Sequence, residues 1–256
     1  FYENPWTLPK VLYLANYRFV FQLSVGEVSI FRMYINSIIF TVASTLISCA
    51  ATTVTAYTAA RFDFRGKGLL VSIGIGAMLI PDLGSRSVIY KMYVDLNMID
   101  TWFILIQYAT PFGIMFLIAY SLFKTVSKTY AEAAKIDGAN EYQIYFKIVL
   151  HISLPGLATI ALFATLTYWN DWWLPLLYIT EPQKYNLQYL LQSMISNIQN
   201  LTENSAQMGS ANLLANVPKE GARMALCIIA TLPILFVYPF FQKYFIQGLT
   251  VGSVKE

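Results

Sequence analysis

Four stretches of this chain run for membrane-crossing lengths without an aspartate, glutamate, lysine or arginine. They are Met33 to Ala60, Thr101 to Phe123, Ile148 to Asn170 and Met224 to Gln242. At ~1.5 Å of rise per residue, each is long enough for a helix to approach or exceed a ~30 Å hydrocarbon core. A fifth stretch, Gly68 to Pro81, holds only 14 uncharged residues. It can cross only by continuing through Asp82 and Arg86 towards Tyr90, with a kink at Pro81. The apolar runs are continuous and do not alternate with period two, so the pattern predicts helices and not a β-barrel. The expected fold class is all-α, a polytopic transmembrane helical bundle with five spans in this sequence.

Between the second and third charge-free runs lies a polar, helix-forming segment, residues 124–151. Thr129-Tyr130-Ala131-Glu132 fits a capping box, in which the Thr hydroxyl caps the backbone and the Glu side chain reaches back. Ala131, Ala133 and Ala134 favour helix. Gly138 suits a left-handed C-cap. Asn140 can cap a second helix, with Gln143 three positions on, and Tyr142, Tyr145, Phe146 and Val149 would give that helix an apolar stripe. The segment reads as two short helices joined by a hinge. Such a hairpin is either a docking element for a partner outside the lipid or a solvated connection, and periodicity does not separate the two.

Composition agrees with the spans. The 256 residues are 57% hydrophobic and 12% charged, about half the charge of a soluble domain, and the mean hydropathy is +0.52. A net charge of +3, dispersed along the chain, gives no case for a nucleic-acid partner. Cys49 and Cys227 sit inside apolar runs and read as packing residues. With no CxxC and one histidine, no metal site is expected. Arg61, Arg65 and Lys67 follow the first run closely, which places that connection on the cytoplasmic side. Alternation then puts Lys91 to Asp100 outside and the 124–151 segment inside, with Lys124, Lys128, Lys135 and Lys147. It puts Glu181 to Arg223 outside and the C-terminus inside.

Glu132-Ala133-Ala134, with Gly138 ten residues before Ile148 and then Leu150, resembles the EAA loop of ABC-importer permeases of the type I, MetI-like fold. The resemblance covers nearly the whole chain. Asn36-Ser37, Arg61 to Lys67, Met78 to Pro81, Trp169-Asn170-Asp171 and the ending Tyr244 to Lys255 are each similar to family segments. The last two point to the carbohydrate-uptake branch, nearest the second permease of a maltose-type importer. One position departs: the family usually has proline after that Leu, and this chain has His151, although Leu154-Pro155 matches a later family proline. The family commonly has six spans, which implies a leading span absent from this sequence. The domain layout expected is residues 1–32 as the outer segment after that span, 33–246 as the permease domain, and 247–256 as a cytoplasmic tail.

The resemblance implies a multi-pass subunit of the bacterial inner (plasma) membrane, set in the lipid bilayer. Its partners would be a homologous permease in a heterodimer, two ABC ATPase subunits and a periplasmic or extracellular solute-binding protein. The ATPase would seat on Glu132, Ala133, Ala134, Asp137, Gly138 and Ala139. Independently, the chain has no GxxxxGK[ST] phosphate loop and no nucleophile–base motif. It is therefore expected to be a transport subunit and not an enzyme, with no cofactor of its own, ATP and Mg lying on the partner ATPase. Rival readings are a permease for a non-sugar solute and a non-ABC channel or scaffold.

Polar groups in spans are costly and mark candidate function. Tyr168, Trp169 and Asn170 offer aromatic faces and an amide, the chemistry that binds sugars; an interfacial aromatic belt is the competing reading. Asp82, four residues before Arg86, can line the outer mouth of a pathway or form an ion pair at headgroup level. Asn36, Ser37, Thr41, Ser44, Thr45 and Ser48 place hydroxyls along the first span at three- and four-residue spacing, and close helix packing accounts for most of them. Gly74-x-Gly76 reads as close packing too. The polar stretch Gln192 to Lys219 suits either receptor contact or a loose connection.

Overall fold

The computed structural model describes residues 14–22, 24–25, 28–79, 86–196 and 219–253. A short helix, α1 (Ala15–Gln22), leads into a two-residue antiparallel pairing of Ser24–Val25 with Val28–Ser29. Helix α2 (Ile30–Arg61) follows, then α3 (Lys67–Leu79) and α4 (Arg86–Asp95). A 3-10 helix, Trp102–Ala109, precedes α5 (Ile114–Thr125) and α6 (Lys128–Ile136). Helix α7 (Glu141–Ile152) contains a π-helical stretch, Ile144–Val149, and is followed by α8 (Leu154–Trp169) and α9 (Trp173–Tyr178). Residues 187–196 form α10, and α11 spans Lys219–Ser253.

The rod of the structure is α2. Its 32 residues make ~48 Å of helix, and three apolar cores are strung along it. Ile30 and Met33 pack with Val20 of α1, Leu187 and Leu190 of α10, and Ala225, Leu226, Ile229 and Ala230 of α11. Phe40 packs with Tyr93, Ile104, Leu105, Leu174 and Tyr178. At the far end Ala56, Tyr57 and Ala59 pack with Phe116, Ala119 and Phe123 of α5, Ala134 of α6, and Ile144, Tyr145 and Val149 of α7. The hydroxyl stripe faces inward: Asn36, Ser37, Thr41 and Ser44 are all buried, while Phe31, Ile38, Ile39, Val42, Leu46 and Val54 are exposed.

Two charge-free runs are not single straight helices. Between Ala109 and Ile114 the axis bends by 53°. Pro111 disfavours helix at Thr110, which is extended at φ −72°, ψ 112°, and Gly113 takes φ +101°, a region open to glycine and few others. Between α7 and α8 the bend is 83°. Pro155 has no N–H to donate, and its ring would collide with the carbonyl of His151 in a continued helix. It sits in the first turn of α8, where neither matters. By length and composition, α2 can cross a membrane alone, and each bent pair can form one further span.

Packing of α3 on α5 depends on Gly74. A Cβ there would lie 2.6 Å from the Phe116 ring, and Phe116 is itself fully buried. Gly76 meets nothing within 4 Å, so the close-packing expectation holds for Gly74 and not for Gly76. Pro81 and Asp82, with the kink expected there, lie outside the described residues, as does most of Gln192 to Lys219.

Candidate functional site

The polar hairpin is built as two capped helices, but its first cap is not the expected one. Ser127, not Thr129, is the N-cap of α6. Its Oγ accepts from the Thr129 amide at 3.3 Å and lies 3.0 Å from the Thr129 hydroxyl. Ser127 is as good a cap as Thr129 and stands earlier, so the helix begins at Lys128 and leaves Glu132 in its second turn, free for the surface.

At the other end the chain closes as a Schellman turn. The Gly138 amide donates to the Lys135 carbonyl at 3.0 Å and the Ala139 amide to the Ala134 carbonyl at 2.9 Å, with Gly138 at φ +80°. These are the 5→2 and 6→1 bonds of that motif. The second helix opens with a complete capping box: Asn140 Oδ1 accepts from the Gln143 amide at 2.8 Å, and Gln143 Oε1 accepts from the Asn140 amide at 2.9 Å. Lys135 and Glu141 pair across the hinge at 2.5 Å. Their side chains are 55% and 42% exposed, so that pair adds well under ~1 kcal/mol.

Anchoring residues in α7 differ from the expected stripe. Ile144, Tyr145 and Val149 are buried, whereas Tyr142 and Phe146 are exposed. The π-helical stretch explains the shift, since its i→i+5 bonds, such as Leu150 N to Tyr145 O, widen the turn and rotate residues off a 3.6 period. The Tyr145 hydroxyl donates to Thr53 Oγ1 at 2.9 Å, and its ring lies 4.8 Å from that of Tyr57. From α2, Arg61 Nη2 donates to the Val126 carbonyl at 2.6 Å, tying the turn between α5 and α6. The hairpin is thus bolted to α2 at Thr53, Tyr57 and Arg61.

The six residues singled out in the hairpin divide by exposure. Ala134 is buried in the core beneath it, and Ala139 is half-buried. Glu132, Ala133, Asp137 and Gly138 are exposed. Beside them stand Ile136, 88% exposed, and Tyr142, 78% exposed. Large apolar side chains left exposed on an otherwise charged hairpin are candidate contacts for a partner.

At the opposite end, the Trp-Asn-Asp run points its side chains in different directions. The Tyr168 ring packs 4.4 Å from Tyr108, and its hydroxyl engages Ser48 of α2. Trp169 is buried, with its indole donating to the Ala230 carbonyl of α11 at 2.9 Å and Tyr34 edge-on at 6.0 Å. Asn170 is exposed at the end of α8, donating to Leu166 O at 2.8 Å, with Gln188 Nε2 3.4 Å from its Oδ1. Asp171 Oδ1 accepts from the amides of Trp173 at 2.8 Å and Leu174 at 3.1 Å, while Oδ2 takes the Tyr108 hydroxyl. Asp82 lies outside the described residues. Arg86 places its guanidinium 4.5 Å from the centre of the Trp173 ring.

A second clamp had no signal in the local sequence. Asp100 accepts from the amides of Thr180 and Glu181, at 2.6 and 2.9 Å, and from the Thr180 hydroxyl. Asn36 Nδ2 donates to the carbonyls of Gln183 at 2.7 Å and Tyr185 at 3.0 Å, and Ser37 Oγ accepts from the Leu187 amide at 2.8 Å. These partners are 80 to 150 residues apart, so only the fold unites them. Desolvation pushes the Asp100 carboxyl up, but the Thr180 hydroxyl, the two amides and the Lys184 charge outweigh it. The net result lies below the usual 3.8. A depressed carboxyl contributes stability above its unfolded pKa and loses it as pH falls through the folded value. The melting temperature of the native chain should therefore drop more steeply below pH 3.8 than that of Asp100→Asn, read by unfolding at pH 6 and at pH 3. Parallel pH curves would remove Asp100 as the cause.

Residues 27–251 match the family described as the binding-protein-dependent transport system inner membrane component. The chain belongs to that family. Among relatives of this permease are the polygalacturonan/rhamnogalacturonan transport system permease protein YtcP of Bacillus subtilis, 32% identical over 97% of this chain and 84% of the relative, and Protein LplC of the same organism, 34% identical over 96% and 80%. The melibiose/raffinose/stachyose import permease protein MelC, also of Bacillus subtilis, is 28% identical over 99% and 85%. The fold matches the crystal structure of a bacterial ABC transporter involved in the import of the acidic polysaccharide alginate, with a TM-score of 0.76 at 24% identity, covering 93% of this permease and 81% of that chain. The permease is a membrane-embedded transport component with a polytopic helical fold.

Proposed function

We propose that this permease forms half of the translocation pathway of an ATP-driven importer of oligosaccharides. A homologous permease would supply the other half, and a solute-binding protein would deliver the sugar. Two separate ATPase subunits, carrying ATP and Mg, would dock on the hairpins of the two permeases. The observation that carries this reading is the hairpin itself: rigid, capped at both helices, bolted to α2, and presenting Glu132, Ala133, Ile136, Asp137 and Tyr142 outward. A groove-in-partner contact of this kind suits an amphipathic element with apolar anchors. ATP-driven closure of the ATPase pair would push on the hairpins, and α2, α5 and α8 would carry that push to the opposite face in an alternating-access cycle.

The sugar class is supported by two of the relatives, one named for transport of polygalacturonan and rhamnogalacturonan and one for import of melibiose, raffinose and stachyose. Substrate contact is assigned to Asn170, with Tyr168 and Trp169 behind it as wall. The hairpin lies on the cytoplasmic side in this reading, as does the C-terminus. Co-expression with the candidate ATPase tests the assignment, followed by uptake of labelled oligosaccharide against competing amino acids, phosphate and polyamines. Co-purification with competition by sugars alone is expected. Absence of a stable complex would defeat the coupling reading, and competition by a non-sugar would defeat the substrate class.

A further inference from the structure

The hairpin end of α2 carries a feature that force transmission does not need. Exposed apolar side chains line α2 from Phe31 to Val54, which marks the apolar stretch of the helix suited to the hydrocarbon core. Arg61 lies seven residues beyond Val54, about 10 Å further along the axis. That is just past the headgroup layer, which adds roughly 5 to 8 Å on each side of the hydrocarbon. The connection that follows, Phe62 to Gly66, therefore runs along the membrane surface.

Its composition suits that position. Phe62 and Phe64 are exposed, at 36% and 40%. Phe62 is held in place by its amide, which donates to the Thr58 carbonyl at 3.1 Å, and by its edge contact with Tyr57. The Arg61 bond to Val126 brings the start of α6 beside this connection. Lys67 pairs with Asp63 at 2.8 Å, offsetting the one acidic charge of this connection. The hydrogen bond and charge of Lys67 hold the Asp63 carboxyl below its usual range against slight desolvation, and Lys128 adds a weaker pull in the same direction. Lys128 follows Val126 by two residues, so the Arg61 bond holds it beside the loop. Arg65 and Lys128 form no ion pair among the described residues, and both are exposed. Lys124, in the last turn of α5, rests 4.6 Å from the centre of the Tyr120 ring, which leaves its charge uncancelled.

We infer that Arg65, Lys124 and Lys128, flanked by Phe62 and Phe64, form a binding surface for the phosphate headgroup of an anionic lipid on the hairpin side of the membrane. The Phe62 ring, turned back onto Tyr57, sits at headgroup level while the cations meet the phosphate, a division of labour that favours an amphiphile over a soluble anion. The lipid would brace the α2–α3 connection against the root of the hairpin. This surface depends on the chain spanning a bilayer and not on the identity of the transported solute.

Native mass spectrometry of the full chain, purified in a non-ionic detergent and mixed with phosphatidylglycerol or phosphatidylcholine, tests the inference. Phosphatidylglycerol should be retained at least tenfold more tightly, roughly fivefold per cation engaged. The double variant Arg65→Gln/Lys128→Gln should lose on the order of twentyfold for phosphatidylglycerol and little for phosphatidylcholine. Phe62→Ser/Phe64→Ser should weaken both lipids. Should the charge variant fail to fold, the native chain still decides: its phosphatidylglycerol retention must fall as salt rises. Equal retention of the two lipids, unchanged retention in the charge variant, salt-insensitive binding, or displacement by millimolar inorganic phosphate would each overturn it. Uptake of labelled sugar, measured separately, reports on the transport reading alone.

Discussion

Gly138→Pro will abolish uptake by the assembled importer while the chain still enters the membrane. Three consequences act together. Gly138 sits at φ +80°, and proline is confined near −65°. Its amide donates to Lys135 O at 3.0 Å, and proline has no amide to donate. Asp137, at φ −75° and ψ 4°, would be pushed towards extended backbone as the residue before a proline. The Schellman turn cannot survive any two of these, so α7 would leave α6 at a new angle. Nothing lies within 4 Å of a Cβ at this position, so crowding plays no part and the substitution series isolates the backbone. Gly138→Ala should cost ~1 to 3 kcal/mol of local strain, and Gly138→Asn, which tolerates the left-handed region, should keep most uptake. Glu132→Lys is the complementary variant. Glu132 is exposed and takes no part in the cap, so reversing its charge leaves the hairpin folded and changes only the face offered to the ATPase. Both Gly138→Pro and Glu132→Lys should stop sugar-stimulated ATP hydrolysis in reconstituted vesicles. Full uptake in both would mean that the hairpin transmits nothing.

The legibility of this hairpin in the sequence follows from locality. Gly138 and the Asn140–Gln143 box act over three to five residues, so residue type alone predicts them. The start of α6 was misplaced because Ser127 and Thr129 are equivalent caps by type, and only the path of the chain from Val126 chooses between them. The ends of α2 fall within three residues of the charge-free run, because arginine and the end of the apolar face coincide at Arg61. Hydropathy failed at Pro111–Gly113 and at Ser153–Pro155. Transfer free energy counts side chains and is blind to backbone dihedrals, so a bent pair and a straight helix score alike. The apolar stripe of α7 failed for a related reason: a π-helical stretch has no 3.6 period to detect. The clamps at Asp100 and Asp171 were invisible because each joins segments 63 or more residues apart. The Trp-Asn-Asp run carries sugar-binding chemistry by residue type, but its Asp is spent mostly on holding the fold.

Asp171→Ala puts that last statement at risk. The carboxylate caps α9 through two amides and receives the Tyr108 hydroxyl. Losing the cap costs ~1 kcal/mol. Tyr108 is wedged between Phe40, at 5.9 Å, and Tyr168, so its hydroxyl would be left with a desolvation penalty of ~1 to 3 kcal/mol. The expected total is about 2 to 4 kcal/mol, visible as a clear fall in melting temperature by size exclusion after heating. Asp171→Asn keeps an oxygen for the cap and a polar partner for Tyr108, so it should lose less than half as much. Tyr108→Phe in the Asp171→Ala background should cost little further, because the bond it would break is already gone. A carboxylate whose main task was to grip sugar would give the reverse pattern. Asp171→Ala would then melt like the native chain, uptake alone would fall, and the effects of Tyr108→Phe and Asp171→Ala on melting would simply add.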